Sequence, residues 1–121
     1  IRNPVGSTYA DSKQIKTTVV QQKEDEGSLY RYYCRLIAIR HKYPAIARGT
    51  SEILPCDNVD ICLIRRTWGE SSMLIAVNPS LRDHTVAVEG TLEDVLSARG
   101  QEITLREGIL TLPSYSIAIL K

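Results

Sequence analysis

Residues 28–47 read SLYRYYCRLIAIRHKYPAIA, and this stretch decides how the rest of the chain is interpreted. Its apolar and aromatic residues recur at steps of three and four, which is the period of a helix with one buried face. Ser28 is a suitable N-cap, because its hydroxyl can accept from a backbone N–H that has no helical partner. Pro44 ends the pattern, since proline lacks an N–H and disfavours the helical conformation in the residue before it. The spacing predicts one helix over residues 28–43.

The apolar surface of this helix is wider than one stripe. Tyr30, Cys34, Ala38 and Ile39 lie on other sides than the main apolar row. A helix that is apolar around most of its circumference is normally buried on more than one side. A chain of 121 residues has little with which to cover it twice, so we expect this chain to be part of a larger protein. In isolation, the surplus face should fold back on a sheet or be covered by a second copy in a homodimer.

Two pieces of the chain carry a family resemblance. The first follows the pattern Leu-x-x-Tyr-Tyr-x-x-Leu-Ile-x-Leu-Arg-x-x-x-Pro-Ala-Leu-x-x-Gly. Ile39 and Ile46 replace the last two leucines of this pattern. Its matching positions are Leu29, Tyr32, Tyr33, Leu36, Ile37, Ile39, Arg40, Pro44, Ala45, Ile46 and Gly49. The second is GILTLPSYSIAILK at residues 108–121, where Leu-Pro-x-Tyr-Ser precedes an apolar run. In order and spacing the two pieces resemble the last barrel helix and the closing strand of the alpha-amylase family of glycoside hydrolases.

The resemblance implies a division of the chain into three parts. Residues 1–27 would be an extended lead-in left from a barrel loop. Residues 28–43 would be the last barrel helix, and residues 44–121 a C-terminal all-β domain. In the family that loop rims the active site and often carries Arg-x-Pro-Met-x-Trp. Arg2 and Pro4 match its start, which makes Arg2 a candidate substrate-binding residue of the parent enzyme, although Val5 and Ser7 replace Met and Trp.

The residues after the helix have the pattern of short strands separated by turns. Residues 59–68 and 71–78 are β-rich and flank Gly69 and Glu70, which predicts a hairpin. Val59, Ile61 and Leu63 should share one face of it. Further strands follow at short intervals without intervening helices. The pattern predicts a mainly β fold, an antiparallel Greek-key β-sandwich of about seven to eight strands, preceded by the extended segment and one α-helix.

Composition excludes several classes of function. The net charge of +1 supplies no field that would favour nucleic acid or an anionic membrane surface. No apolar run approaches the roughly 18 residues of a spanning helix. The three cysteines cannot all pair within the chain, and a Cys56–Cys62 bridge across a hairpin is conceivable. These observations predict no nucleic-acid and no membrane partner, and leave open whether the parent is cytoplasmic or secreted.

Catalytic chemistry has no counterpart in the sequence. Glycosidases of the retaining type need two carboxyl groups about 5 Å apart, and no segment here resembles the catalytic motifs of the family. We therefore predict no catalytic residue, no metal ligand and no cofactor in this chain, and no enzymatic activity of its own. Whether the parent protein binds calcium stays open. Trp68, at a strand end beside a turn, is a candidate for stacking on a sugar ring.

Two functional hypotheses follow. The leading one is a non-catalytic C-terminal part of an alpha-amylase-like glycoside hydrolase, which packs on and stabilises the catalytic (β/α)8 barrel of the same parent chain. The resemblance implies that the parent hydrolyses or transfers alpha-glucosidic bonds. The alternative is a stand-alone β-sandwich that binds carbohydrate or another protein, which would require exposed aromatic residues or an apolar patch on the sheet.

Overall fold

The computed structural model describes residues 18–121, in which three helices precede eight strands. The helices are α1 (Val19–Glu24), α2 (Leu29–Lys42) and α3 (Pro44–Arg48). The strands are β1 (Thr50–Leu54), β2 (Cys62–Trp68), β3 (Ser71–Asn78), β4 (His84–Ala87), β5 (Leu92–Ser97), β6 (Thr104–Arg106), β7 (Ile109–Leu112) and β8 (Ser116–Leu120). No helix among these residues is both long enough and apolar enough to span a bilayer.

The predicted helix over residues 28–43 is confirmed, with Ser28 and Tyr43 as its caps. The Ser28 hydroxyl accepts from the Arg31 N–H at 3.2 Å, as the N-cap assignment requires. The extended lead-in is wrong for residues 18–24, because α1 lies there. Thr18 and Gln21 form a reciprocal capping box that starts a helix in spite of the β-branched residues beside it. Residues 1–17, including the candidate Arg2, lie outside the described part of the chain.

Pro44 ends α2 and also begins a second helix. Its fixed φ and missing N–H suit the first position of a helix, so the five-residue α3 opens the region that was predicted to be entirely β. Gly49 follows α3, and its surroundings leave no room for a side chain. A Cβ there would lie 2.3 Å from the Ala45 carbonyl oxygen and 2.7 Å from that of Thr67. The missing side chain lets the backbone after α3 lie directly against the end of β2.

The strands form two antiparallel sheets, which confirms the mainly β sandwich. The five-stranded sheet has the order β1-β2-β3-β8-β5, and the three-stranded sheet has the order β4-β7-β6. The chain crosses from the first sheet to the second between β3 and β4, and β8 returns to lie between β3 and β5. Crossing connections of this kind distinguish a Greek key from a simple meander.

The space between the two sheets contains the main hydrophobic core. The five-stranded sheet contributes Leu63, Ala76, Ala118 and Leu120, and the three-stranded sheet contributes Leu110 and Leu112. Ile61 and Ile103 complete the cluster from the connections. Leu110, Leu112 and Leu120 have no exposed surface, so the sandwich closes on its own residues.

The β2–β3 hairpin is confirmed, with Trp68 opposite Ser71 at its turn. Its first strand begins later than predicted, at Cys62. Val59 does not share the face of Leu63, because it is 95% exposed in the β1–β2 connection. There Asn58 accepts from the Asp60 N–H and closes a local turn. Cys34, Cys56 and Cys62 are all free thiols, so the conceivable Cys56–Cys62 bridge does not form.

Asn78 fixes the crossing between the two sheets. Its side chain is fully buried. The amide nitrogen lies 2.8 Å from the Arg82 carbonyl oxygen, 3.0 Å from that of Leu112 and 3.0 Å from that of Pro113. The amide oxygen accepts from both the N–H and the hydroxyl of Ser80. One side chain therefore pairs with the buried carbonyl groups of Leu112 and Pro113 and with backbone groups of the connection after β3.

Candidate functional site: the apolar surface of the helix layer

Helix α3 and the end of α2 lie on the outer face of the five-stranded sheet, and we call these two segments the helix layer. Ala45 packs there against Met73 and Ile119, and all three are buried. The partly buried residues around them are Ile39, Tyr43, Ile46, Ile75 and Ile117. This small cluster anchors only the C-terminal end of α2 to the sheet.

Arg66 reinforces this anchor from the sheet side. Its guanidinium donates to the carbonyl oxygens of Ala45 at 3.3 Å and Ile46 at 2.7 Å, and to the hydroxyl of Ser51. The carbonyls of the last helical turn carry partial negative charge, and that of Ala45 accepts from the Gly49 N–H as well as from Arg66. A cation from β2 therefore caps α3. Sequence reasoning missed this role, because an outward-facing arginine in a strand resembles an ordinary solvated residue.

A second polar contact ties α2 to the edge strand β5. Asp94 Oδ2 lies 3.0 Å from Lys42 Nζ and 3.2 Å from the Tyr43 hydroxyl. The hydrogen bond from Asp94 raises the pKa of the Lys42 ammonium above its ordinary value, because the carboxylate favours the charged form. Lys42 is solvent-exposed, so this contact positions the helix more than it stabilises the fold.

The opposite side of α2 carries an apolar stripe that residues 18–121 leave more than half exposed. Leu29, Tyr33 and Ile37 follow one another at steps of four, and they are 65%, 57% and 53% exposed. No residue of α2 is buried. The expectation that the surplus face folds back on the sheet is wrong for this stripe, because the sheet meets only the other side and the end of the helix.

The outer face of the sheet adds further apolar surface beside the helix layer. A row of isoleucines crosses four neighbouring strands in register: Ile53, Ile64, Ile75 and Ile119. Ile119 is buried under α3, whereas Ile53 at the sheet edge is 77% exposed. The helices therefore cover one end of the row and leave the other open.

Trp68 is half-exposed at the end of β2, but it is not a free stacking platform on both sides. The guanidinium of Arg48, at the end of α3, lies 5.5 Å from the centre of its ring system. This is the distance of a cation–π contact. The predicted role of Trp68 in sugar stacking stays a prediction, and so does the substrate role of Arg2.

His84 lies in a polar contact between β4 and the β1–β2 connection. Because the Asn58 amide oxygen accepts from the Asp60 N–H, its NH2 group faces His84 Nδ1 at 3.0 Å. The other ring nitrogen, Nε2, lies 3.1 Å from Asp60 Oδ2. Within residues 18–121, no three His, Cys, Asp or Glu side chains are arranged to hold one.

Comparison with known proteins places this arrangement in a wider context. Neither a family model nor a curated protein matches the sequence. Among solved structures, Amy13B of Eubacterium rectale matches 89% of this chain with a TM-score of 0.83 and 27% identity. An alpha-amylase from H. orenii matches 87% of it with a TM-score of 0.72 and 26% identity. The resemblance to the alpha-amylase family is confirmed.

The matches cover only a small part of each larger protein. This chain spans 22% of the length of Amy13B and 22% of the H. orenii alpha-amylase. An alpha-glucosyl transfer enzyme, XgtA, shares the fold at 24% identity with a TM-score of 0.69, and this chain spans 19% of it. The sandwich with its preceding helix is thus a recurrent component of longer alpha-amylase family enzymes.

Proposed function

We propose that this chain supplies the last barrel helix and the C-terminal β-domain of an alpha-amylase-like glycoside hydrolase. Its task is to pack on the catalytic (β/α)8 barrel and stabilise it, while the parent protein hydrolyses or transfers alpha-glucosidic bonds. The observation that carries the proposal is the exposed stripe of Leu29, Tyr33 and Ile37. The same helix is anchored to the sandwich at its other end, so it can join the two parts rigidly.

The energetics of the stripe support a permanent neighbour. Full burial of one large apolar side chain contributes about 1.5–3 kcal/mol. Leu29, Tyr33 and Ile37 are each more than half exposed, so covering them would contribute about 3 kcal/mol in total. In a (β/α)8 barrel the outer ring consists of helices that pack on the strands and on each other. A helix with one side anchored on a sandwich and an apolar side left open has the surface that such a ring requires.

The three-part division of the chain belongs to the same proposal. Residues 28–43 act as the barrel helix and residues 44–121 as the C-terminal domain, with residues 1–27 as the connection from the barrel. The chain itself is non-catalytic, because the two carboxyl groups of the family reaction lie in other parts of the parent.

The experiment compares chain 1–121 with the longer protein encoded by the same reading frame. The variant replaces Leu29, Tyr33 and Ile37 together by serine. Its midpoint of thermal denaturation should fall by several degrees in the longer protein and change little in chain 1–121 when that chain is dilute enough to be monomeric. The matched control replaces Val59 and Leu81 by serine, since both are exposed apolar residues outside the stripe. Equal changes in both proteins, or hydrolysis of alpha-glucosidic bonds by chain 1–121 alone, would contradict the proposal.

The isolated chain offers a second test of the same surface. Without the barrel, the stripe is best covered by the stripe of another copy, which gives a homodimer. Sedimentation of chain 1–121 should then show an average mass that rises with concentration. The triple serine variant should stay monomeric over the same range, whereas the Val59 and Leu81 control should behave like the original chain.

A further inference from the structure

The three-stranded sheet ends at β4, and a cleft of about 330 Å³ lies beside this strand. One wall of the cleft is β4 itself, through Thr85, Val86 and Ala87. The facing wall is the β1–β2 connection, through residues 55–58. Because β7 pairs with the other side of β4, the cleft lies along the open edge of the sheet.

The backbone of β4 directs hydrogen-bonding groups to this open edge. The Val88 N–H donates to the Gly108 carbonyl oxygen at 2.8 Å, which continues the register between β4 and β7. In an antiparallel pair, every second residue exchanges both of its backbone hydrogen bonds with the partner strand. Val88 and Val86 therefore pair with β7, whereas Thr85 and Ala87 direct their N–H and C=O groups away from it. These four groups have no hydrogen-bond partner among residues 18–121.

The edge of β4 is not protected against the addition of a strand. Natural sheet edges commonly carry a lysine, a proline or a bulge that prevents such addition. The sequence of β4 is His84, Thr85, Val86 and Ala87, and its register with β7 continues without a shift. Thr85 and Ala87 are both exposed. A further strand can therefore approach this edge directly.

The surroundings of the edge determine which strand would fit. Cys56, Leu63 and Val86 give the cleft an apolar floor, which is continuous with the core of the sandwich. Residues 55–60 and 82–89 contain one arginine and four carboxylates, Asp57, Asp60, Asp83 and Glu89. This excess of negative charge attracts basic side chains.

We propose that the open edge of β4 binds an extended peptide segment of another protein, in which apolar residues alternate with basic ones. The peptide becomes the fourth strand of the three-stranded sheet and pairs with the backbone of Thr85 and Ala87. In this mode of recognition, backbone hydrogen bonds supply the affinity and pockets for alternate side chains supply the specificity. The apolar side chains face the floor of the cleft, and the basic ones face the carboxylates around it.

A second copy of β4 fits this edge less well than a basic peptide. An antiparallel pair of two β4 strands centred on Val86 would place Asp83 of one copy opposite Glu89 of the other. Like charges that lie opposite each other destabilise a strand pair. The edge is also separate from the proposed barrel contact, because the helix layer lies on the outer face of the five-stranded sheet.

The test titrates chain 1–121 with the acetylated and amidated peptide Lys-Val-Lys-Val-Lys and follows the backbone amides by NMR. We expect saturable binding with a dissociation constant on the order of 0.1 mM. Hydrogen exchange at the Thr85 and Ala87 amides should slow on saturation, because carbonyl groups of the peptide accept from them. The same peptide with its internal backbone nitrogens methylated keeps its charges but cannot pair, so it should not bind.

Two variants of the chain locate the peptide independently. Ala87→Pro removes an edge N–H and leaves the bonds to β7 intact, and proline is tolerated on edge strands, so affinity should fall about tenfold. Asp57→Lys tests the charge in the same cleft without changing the backbone of β4. It should weaken binding of the basic peptide about fivefold and strengthen binding of Glu-Val-Glu-Val-Glu. Glu70→Lys makes the same change of charge at the β2–β3 turn and should leave both affinities unchanged.

Four results would overturn the proposal. The first three are no saturable binding of the basic peptide, equal binding of its methylated form, and slowed exchange in β1 instead of β4. The fourth is self-association of chain 1–121 that Ala87→Pro abolishes, which would make a second copy the occupant of the edge. None of them bears on the barrel-packing function, because the stripe experiment measures thermal stability without any peptide.

Discussion

The sandwich interior and the helix layer differ in how completely their apolar side chains are covered. Eight buried residues from both sheets and their connections close the sandwich interior. Only three buried residues hold the helix layer, and two of those belong to the sheet beneath it. Helix α2 has no buried residue at all. The sandwich thus has a closed core of its own, whereas α2 leaves one apolar side uncovered.

This difference separates two kinds of contribution to stability. Residues of the sandwich interior should affect unfolding of chain 1–121 by itself. Residues on the open side of α2 should have little effect on the monomeric chain and a larger one when the proposed barrel is present. Four measurements test this contrast, from the largest expected effect to the smallest.

The largest effect should come from Leu110→Ala, in the centre of the sandwich. Leu110 has no exposed surface, and truncation of a buried leucine leaves a cavity, so the free energy of unfolding should fall by about 3 kcal/mol. Urea denaturation of chain 1–121 measures it. The matched control is Leu29→Ala on the open stripe, which should change the same quantity by less than about 0.5 kcal/mol. If Leu110→Ala and Leu29→Ala lowered the free energy of unfolding equally, the sandwich interior and the open side of α2 would not differ in their contribution to stability.

Asn78→Ala should be the next most damaging change. It removes the Asn78 amide from the buried carbonyl groups of Leu112 and Pro113, of which Pro113 keeps the Ser116 hydroxyl as a donor, and the free energy of unfolding should fall by about 2 kcal/mol. The control is Asn58→Ala, whose side chain joins a half-exposed contact and should cost less than about 1 kcal/mol. If Asn78→Ala unfolds at the same urea concentration as the original chain, the crossing between the sheets does not depend on this side chain.

Gly49→Ala should loosen the helix layer while the sandwich interior stays intact. The added Cβ would lie 2.3 Å from the Ala45 carbonyl oxygen, so α3 must shift, at a cost of roughly 1–2 kcal/mol. Amide hydrogen exchange should accelerate at residue 49, whose N–H donates to Ala45, but not in β7. Gly100→Ala is the control, because its Cβ meets no atom within 4 Å and only its φ of 68° is strained. Faster exchange throughout both sheets in Gly49→Ala would mean that the two regions unfold as one.

The smallest effect concerns the contact between α2 and β5. Since Asp94 raises the pKa of Lys42, the contact is present below the ordinary lysine range and is lost as the pH rises through the raised pKa. A titration of the Lys42 side chain by NMR should therefore have its midpoint above that of a free lysine. Asp94→Asn should return the midpoint towards the ordinary value, with Asp60→Asn as a control away from the helix. A midpoint that Asp94→Asn leaves unchanged would show that the contact is not formed in solution.

Local signals in the sequence predicted much of the fold. The cap at Ser28, the stop at Pro44 and the turn at Gly69 each act through neighbouring residues, so the helix over residues 28–43 and the β2–β3 hairpin could be predicted. Residues 18–24 were predicted wrongly, because β-branched residues outweighed the capping box of Thr18 and Gln21. The box is a Thr-x-x-Gln pattern, and it was the signal that could have revealed α1.

The apolar surface of the candidate site could be predicted from the sequence, but the side-chain contacts around it could not. An excess of apolar residues around α2 indicated a missing neighbour, and the exposed stripe agrees with it. The sequence could not show that Arg66 caps α3, that Arg48 lies over Trp68, or that Cys56 and Val86 line one cleft. Each of these pairs joins residues that are far apart in the chain, and their contact depends on how the strands cross between the sheets.

The position of β8 in the five-stranded sheet bears on how the protein is synthesised. This strand lies between β3 and β5, yet a ribosome makes it after both of them. Lys121 extends the pairing, because it exchanges two backbone hydrogen bonds with Thr91. During translation, the edges of β3 and β5 that pair with β8 stay unpaired until β8 has been synthesised. Strands of other chains can add to such unpaired edges. The five-stranded sheet can therefore close only after residues 116–121 have been synthesised.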